Sequence, residues 1–418
     1  MFRKVILTTL LLLLCPLVQA EESRIITLAE GGEIPIRHYG DGEDRILWLP
    51  SEFGFRGQRE GSLATGLAVE GFEVWLADIH DAYFLPSGRS SLTEVPVEEI
   101  AELIKRSQPE SGRLFIMSTG RGAALALMAV RQWQQRYSDR KPLGGLLLFH
   151  PNLLAEVPLP GTRPDYLSIA DQTNQHILLI QPGGSAKLWY LEEVLSHLRS
   201  GGSKLYTWVI PRVSDGFHMR PSATEEELQR SDELPPMLAR SARLLAAITQ
   251  EVHSPVAAMG AASEKRWETG VFAGLLQPYT GDPTPPALSL TDLEGNAYTL
   301  DKYKGKVVLL NFWATWCPPC VKEIPSLGRV KKKMGGRGLE VLSVDVGEPV
   351  ERVRAFLKRI PAAFPVLLDS GGRTVTPWQI RAFPTTYLID RQGQIRYAYF
   401  GGLEWDAPEV VKVIESLL

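Results

Sequence analysis

Two cysteines three residues apart, Cys317 and Cys320, are the residues of this sequence best suited to covalent chemistry. They close the run Asn311–Cys320, which reads NFWATWCPPC. The apolar stretch Val307–Leu310 before that run predicts a short buried strand, and the residues after Cys320 predict the start of a helix. A C-x-x-C pair where a strand passes into a helix is typical of a redox-active dithiol.

The helix start matters because it concentrates positive potential. Unpaired backbone N–H groups and the helix dipole favour a thiolate there, so the pKa of a C-x-x-C cysteine falls to about 7 or below. We expect Cys317 to be the exposed nucleophile and Cys320 to resolve the mixed disulfide by attacking Cys317. Pro318 and Pro319 stand in the first turn, where the N–H groups they lack have no helical partner. They restrict the loop and so help to set its reduction potential.

A second segment supports this interpretation. Residues Arg381–Asp390 read RAFPTTYLID, a proline directly before a β-branched and aromatic strand, which resembles the cis-proline strand of the thioredoxin fold. Together with Asn311–Cys320, Glu323 and the closing Gly401–Trp405, it makes residues 284–418 similar to the thioredoxin-like domain of the TlpA/ResA/CcmG (DsbE-like) thiol–disulfide oxidoreductases. The resemblance covers about the last third of the chain.

This resemblance implies a role for several residues around the redox-active pair Cys317–Cys320. Glu323 matches the acid of the family, whose pKa burial should raise and which takes the proton of Cys320 as that sulfur attacks; a solvated helix glutamate is the alternative. Phe383 and Pro384 are expected to flank the sulfur of Cys317 and to offer an edge for an extended client segment. Trp316 is expected to shield the site from water, or to be plain core.

The resemblance also implies partners. We expect disulfide-containing exported client proteins, a DsbD/CcdA-like membrane thiol donor of electrons, and a link to cytochrome c maturation. The direction of electron flow stays open, although reduction of clients is favoured, because a shift of about 30 mV changes the equilibrium by only about 1.4 kcal/mol. We predict no cofactor and no metal.

Two other uses of a C-x-x-C pair are disfavoured. A structural zinc site needs four ligands, and residues 284–418 contain no histidine and no cysteine besides Cys317 and Cys320. A purely structural disulfide would close a loop too short to constrain the unfolded chain much.

The N-terminus has the pattern of a secretory signal. Arg3 and Lys4 precede the apolar run Val5–Val18, and small residues then lead to Ala20, so we predict a signal peptide over residues 1–20 and a periplasmic protein. An uncleaved signal would leave a membrane anchor, although its apolar core falls short of the ~20 residues that a spanning helix needs.

Residues 21–252 predict a separate α/β domain. Short apolar strands alternate with amphipathic helices, which favours a doubly wound, mostly parallel sheet covered on both faces. The strand Leu114–Met117 runs into Ser118–Ala126, STGRGAALA, and this resembles the nucleophile elbow of α/β-hydrolases.

The hydrolase site looks degenerate. Gly120 stands where the nucleophile should be, and Ser118 could serve only as a displaced nucleophile. His218 follows the last predicted strand, where a hydrolase places its histidine. However, Gln181–Ser185, directly after the strand Ile177–Ile180, contains no carboxylate. We therefore expect an inactive hydrolase-like domain, with an active serine hydrolase and a client-binding adaptor as the alternatives.

Length and charge agree with this organisation. The 418 residues carry a net charge of −3 and show no basic stripe, so no nucleic-acid partner is expected. Turn-forming and small residues over 253–283 predict a linker between the hydrolase-like domain and the thioredoxin-like domain.

Overall fold

The apolar strands assemble into two eight-stranded sheets, each packed against its own helices. This computed structural model describes residues 22–55, 57–156, 158, 162–221, 223–249 and 276–418. The predicted signal peptide and most of the predicted linker lie outside the described residues. Among the helices that are described, none combines the length and the apolar character needed to cross a bilayer.

The first sheet has the order β1-β2-β4-β3-β5-β6-β7-β8. Its six strands from β3 to β8 are parallel, and β1 and β2 run antiparallel at one edge. The central strands are fully buried, as expected where helices cover both faces of a sheet. The strands are β1 (Glu22–Thr27), β2 (Glu33–Tyr39), β3 (Asp44–Trp48), β4 (Phe72–Ala77), β5 (Leu114–Thr119), β6 (Gly145–Phe149), β7 (His176–Gly184) and β8 (Lys204–Ser214).

Helices cover both faces of this sheet, as the sequence predicts. One face packs against α1 and α7, and the other packs against α3, α4 and α5. The mostly parallel α/β sheet is thus confirmed, whereas the closer likeness to hydrolases stays a prediction. The helices are α1 (Gln58–Val69), α2 (Ile79–Ala82), α3 (Val97–Arg106), α4 (Gly122–Arg136), α5 (Leu191–Ser200), α6 (Glu225–Asp232) and α7 (Leu234–Thr249).

The chain changes direction across the sheet between β3 and β5. After β3 the chain passes through α1 to β4 on one side, and after β5 it passes through α4 to β6 on the other. In open α/β sheets a crevice forms at such a point, outside the carboxyl ends of the strands.

The second sheet has the order β11-β10-β14-β13-β12-β15-β16-β9. The strands β12, β13 and β14 are parallel, and the others pair antiparallel. Its elements are β9 (Gln277–Pro278), β10 (Ser289–Asp292), β11 (Ala297–Thr299), β12 (Val307–Trp313), α8 (Pro318–Met334), β13 (Leu339–Val346), α9 (Val350–Arg359), β14 (Val366–Asp369), β15 (Thr385–Ile389), β16 (Ile395–Phe400) and α10 (Pro408–Glu415).

Strand β12 fixes where the cysteines emerge. Val307 and Leu309 pack in the cluster that includes α8, while Val308 and Leu310 pack in the cluster on the opposite face. This alternation fixes the register of the strand, because a shift by one residue would exchange the two faces. The C-x-x-C pair follows the end of β12, at the start of α8.

Some elements differ from the sequence-based expectation. Strand β1, which forms by pairing with β2, was not predicted. Helix α6 was not predicted either, although Thr224 and Glu227 form a capping box at its start. Gln277–Pro278 lie within the predicted linker but form β9, which pairs with β16. These two residues of the predicted linker therefore belong to the second sheet.

Candidate active site

Cys317 and Cys320 form a disulfide at the start of α8, with Cα atoms 5.3 Å apart. Cys317 is the N-cap residue, and Pro318 and Pro319 occupy the first helical positions as predicted. The backbone N–H of Cys320 donates to Sγ of Cys317 at 3.3 Å. Because this N–H and the helix start both favour negative charge on that sulfur, the geometry suits a thiolate at Cys317.

The expected exposure of Cys317 is wrong for this oxidised state. Only 4% of Cys317 and 1% of Cys320 is exposed, and the partly buried rings of Trp316 and Phe383 pack in the same apolar cluster. A client sulfur can therefore reach Cys317 only after some of this cover moves.

Glu323 is buried one turn beyond Cys320, with 2% of its surface exposed, so the alternative of a solvated glutamate is wrong. Its carboxylate accepts hydrogen bonds from Asn311 Nδ2 at 2.8 Å, from Trp405 Nε1 at 3.0 Å and from the Leu403 N–H at 3.2 Å. Burial raises the pKa of Glu323 to about 7, while these three donors oppose the rise.

A carboxyl group with that pKa can exchange a proton near neutral pH. Cys320 and Glu323 are three residues apart on α8, so they share one face of the helix. Asn311 holds the carboxylate in place from β12, because its amide also donates to Thr386 Oγ1 at 2.9 Å.

The Phe383–Pro384 peptide bond is cis, as the thioredoxin resemblance predicts. Strand β15 follows directly and pairs with β12, which holds the proline loop close to the C-x-x-C segment. The rings of Phe383 and Trp316 meet edge to face, with centroids 5.6 Å apart. Phe383, which was predicted to flank Cys317, is therefore in contact with Trp316, which was predicted to shield the site from water.

Two buried acids near the loop that leads to Cys317 were not predicted from the sequence. Glu348 is 3% exposed, and it accepts hydrogen bonds from the N–H of Thr315 at 2.5 Å and from its hydroxyl at 2.7 Å. Asp345 on β13 is fully buried, and burial together with the negative charge of Glu348 raises its pKa. A carboxylate at the end of a buried central strand was the signal that could have revealed Asp345, whereas Glu348 lies in the loop after that strand and carries no such signal.

The domain built on strands β1–β8 (the first domain) contacts the domain built on strands β9–β16 (the redox domain). The contact is made by Trp189, in the short 3₁₀ turn Ala186–Tyr190. The centroids of the Trp189 and Phe383 rings lie 6.4 Å apart. Gly347 and Gly372 both have positive φ, and a Cβ atom at either would lie within 3 Å of the Trp189 ring. Because these two residues have no side chain, the indole can pack closely against the loops that carry them.

A polar contact reinforces this packing. The Arg381 guanidinium stacks 3.9 Å from the ring centroid of Tyr190 and pairs with Glu193 at 3.1 Å. The Tyr190 hydroxyl donates to the Val375 carbonyl at 3.1 Å. Since Arg381 lies three residues before Pro384, the first domain is anchored beside the proline loop.

Comparison with known proteins places this site in a family. Residues 280–398 match the AhpC/TSA family. The thiol–disulfide oxidoreductase ResA of Geobacillus kaustophilus is 38% identical over 134 residues, which cover 32% of this chain and 76% of the relative. The chain belongs to the ResA family of thiol–disulfide oxidoreductases.

The chain is also similar to other proteins of this kind. ResA of Geobacillus thermodenitrificans is 39% identical over 113 residues, covering 27% of this chain and 65% of that relative. A thioredoxin-family thiol:disulfide interchange protein of Chlorobium tepidum, known from a crystal structure, is 28% identical and covers 32% of this chain and 99% of its own, with a TM-score of 0.29. As a ResA-family member, the chain is a thioredoxin-fold thiol–disulfide oxidoreductase, and the family implies disulfide-containing client proteins.

The structure does not join the candidate hydrolase residues into a triad. The hydroxyl of Ser118 is buried and donates to the Leu49 carbonyl at 3.0 Å. Gly120 has a φ of +60°, and a Cβ atom there would lie 2.5 Å from Oε2 of Glu52. His218 is fully buried, with Nε2 3.5 Å from the hydroxyl of Thr119. Ser118 is thus placed as a structural residue of this ResA-family protein.

We expect Glu323→Gln to remove the response to pH near 7 of the resolving step, in which Cys320 attacks the mixed disulfide at Cys317. In the parent protein the rate should rise as pH passes about 7, because ionised Glu323 can accept the proton of Cys320. The glutamine cannot accept it, so the resolving step should slow by about 10²-fold. Stopped-flow measurement of the reaction between pH 5 and 9 checks this, with the exposed Glu351→Gln as the control. An unchanged pH profile in Glu323→Gln would contradict the assigned role.

We expect Asp345→Asn to stabilise the redox domain at high pH. Because burial and Glu348 raise the pKa of Asp345, this residue favours folding most below its unfolded pKa, and that contribution is lost as pH rises through the folded pKa. Asparagine has no charge to bury, so the free energy of unfolding should fall less between pH 4 and pH 8. Urea unfolding at both pH values measures the difference, and the exposed Asp301→Asn is the matched control. An equal decline in both variants would refute this prediction.

Proposed function

We propose that this chain reduces disulfides in exported client proteins through Cys317 and Cys320. The observation that carries the proposal is the pair at the start of α8 beside buried Glu323, whose pKa of about 7 suits proton exchange at neutral pH. The family shared with ResA supplies the reaction class, and the direction of electron flow is part of the proposal.

The first step forms a mixed disulfide. The Cys317 thiolate attacks one sulfur of a client disulfide, the client S–S bond breaks, and one client cysteine leaves as a thiolate. The N–H of Cys320, which points at the sulfur of Cys317, stabilises the thiolate that starts this step.

The second step releases the client. Glu323 takes the proton of the Cys320 thiol, and the resulting thiolate attacks Sγ of Cys317. The mixed disulfide breaks, the second client cysteine leaves as a thiolate, and the Cys317–Cys320 disulfide forms. Two electrons have then passed to the client, so an external dithiol must reduce the enzyme again. A DsbD/CcdA-like membrane protein is the proposed donor, and the periplasm is the proposed location because of the predicted signal over residues 1–20.

We further propose that the first domain is a recognition domain without hydrolase activity. The contacts of Trp189 with the redox domain support this role, because the indole lies against Phe383 and beside the loops that carry Gly347 and Gly372. A serine hydrolase is not favoured, because Gly120 has no side chain that could act as a nucleophile and the hydroxyl of Ser118 donates a hydrogen bond to the Leu49 carbonyl.

Trapping of the mixed disulfide tests the central step. In Cys320→Ser the resolving thiol is absent, so we expect covalent adducts with insulin that dithiothreitol releases. In Cys317→Ser the attacking thiol is absent, so we expect no adducts. Gel electrophoresis without reductant, followed by mass spectrometry of the linked peptide, measures both variants. Adducts that form equally with both variants, or with neither, would contradict the assignment of Cys317 as the nucleophile.

Removal of the Trp189 ring tests the role of the domain contact. A large aromatic residue at the centre of an interface often contributes ~2 kcal/mol or more, so Trp189→Ala should loosen the docked arrangement. We expect iodoacetamide to alkylate reduced Cys317 up to roughly thirtyfold faster in this variant, because about 2 kcal/mol corresponds to a factor of about 30. Tyr206→Ala removes a partly exposed aromatic ring elsewhere on the same domain and serves as the control. Equal alkylation rates in the parent protein and Trp189→Ala would show that the first domain does not restrict access to Cys317.

A further inference from the structure

A cavity of about 270 Å³ lies where the two domains meet. Loops that follow β3, β5, β6 and β7 form one wall, and Arg381 and Ala382 of the redox domain contribute to the other. The cavity therefore opens at the carboxyl ends of the central strands, at the point where the chain changes direction across the sheet. This is the usual place for a ligand in an open α/β sheet.

Cationic side chains outnumber acidic ones among the described residues that line the cavity. The cations are Arg89, Arg121, Lys187 and Arg381, and the acids are Glu52 and Glu156. Lys187 pairs with Asp215 at 2.9 Å and Arg381 pairs with Glu193 at 3.1 Å, but neither of these two acids lines the cavity.

Arg121 is the most buried of these cations, with 4% of its surface exposed. Burial lowers the pKa of Arg121, the nearby charge of Arg89 lowers it further, and Glu52 opposes both effects. The guanidinium groups of Arg121 and Arg89 are thus close enough to repel each other, with Glu52 nearby. An anion in the cavity would offset part of the cost of burying the Arg121 charge, and guanidinium groups bind carboxylates through paired hydrogen bonds.

The turn after β5 already holds a carboxylate. Oε2 of Glu52 accepts a hydrogen bond from the backbone N–H of Arg121 at 2.9 Å. The carboxylate fills the space that a side chain at position 120 would need. Because Glu52 fills the place of a nucleophile, this end of the cavity is not arranged to cleave an ester, and a ligand anion would have to face the arginine side chains on the side away from Glu52.

The remaining lining is largely apolar and sets the size and shape of a ligand. Leu153, Leu179, Leu191 and Val194 line the cavity together with two tyrosines. The volume is just below the ~300–1,000 Å³ of common small-molecule sites, so only a small molecule or a short peptide end fits.

We propose that this interdomain pocket binds a small organic carboxylate with an apolar body, its carboxylate facing Arg121 and Arg89. The apolar body lies along the leucine side of the pocket. Arg381 brings the redox domain into contact with the ligand, so that binding favours the docked arrangement of the two domains. A free short-chain acid and the C-terminal carboxylate of a peptide share this chemistry.

Calorimetric titration of the full chain with hexanoate tests the proposal, with hexanol as the neutral probe of similar shape. We expect hexanoate to bind with a dissociation constant of about 1 mM or tighter and hexanol to bind at least tenfold more weakly. Acetyl-Ala-Leu as the free acid and as the amide distinguishes the two sources. Tighter binding of the peptide acid indicates a peptide end, tighter binding of hexanoate indicates a free acid, and both results support a carboxylate site.

Arginine variants locate the site. Arg121→Gln and Arg89→Gln should each weaken hexanoate binding at least tenfold, whereas Arg136→Gln, on the exposed side of α4, should leave it unchanged. Arg89 is exposed, so we expect Arg89→Gln to fold. If Arg121→Gln does not fold, hexanoate binding by Arg89→Gln tests the site. Cys317→Ser should bind normally, so failure of the redox proposal would not affect this result. Equal binding of hexanol and hexanoate, no binding of either acid, or undiminished binding in Arg89→Gln would overturn the proposal.

Discussion

The burial of the Glu323 carboxyl beside the cysteine pair is the constraint on which the redox site depends. A carboxylate that is 2% exposed is costly to ionise, and the fold offsets part of that cost with donors from separate elements. Asn311 donates from β12, and Trp405 and Leu403 donate from the segment before α10. The opposition of burial and hydrogen bonding leaves the pKa near 7, so the same residue can accept and return a proton during each cycle.

The second constraint is access to Cys317. Trp316 and Phe383 pack in the same apolar cluster as the disulfide and contact each other, and Trp189 of the first domain packs against Phe383. A client must therefore displace or replace aromatic contacts before its sulfur can approach. This cover explains how a reactive dithiol can be kept from unselective exchange, since reactivity of a cysteine depends on access as well as on its thiolate fraction.

Much of the redox domain could be predicted because its signals are local. The strand before Cys317, the prolines after it and the proline loop at Pro384 are short patterns with one structural meaning each. The domain contact could not be predicted, because Trp189 and its glycine partners Gly347 and Gly372 are far apart in sequence and carry no shared pattern. Glu52 was missed for the same reason: the sequence showed that Gly120 had no side chain, but not which carboxylate fills that space.

The reduction potential of the Cys317–Cys320 pair tests the central claim, reduction of client disulfides, most directly. Equilibration of the full chain with glutathione or dithiothreitol buffers at pH 7 gives the value from the fraction of oxidised protein. We expect a potential near that of thioredoxin, about −270 mV, which suits a reductant fed by an external dithiol. A value near about −120 mV would characterise an oxidant, and the proposed direction of electron flow would be wrong.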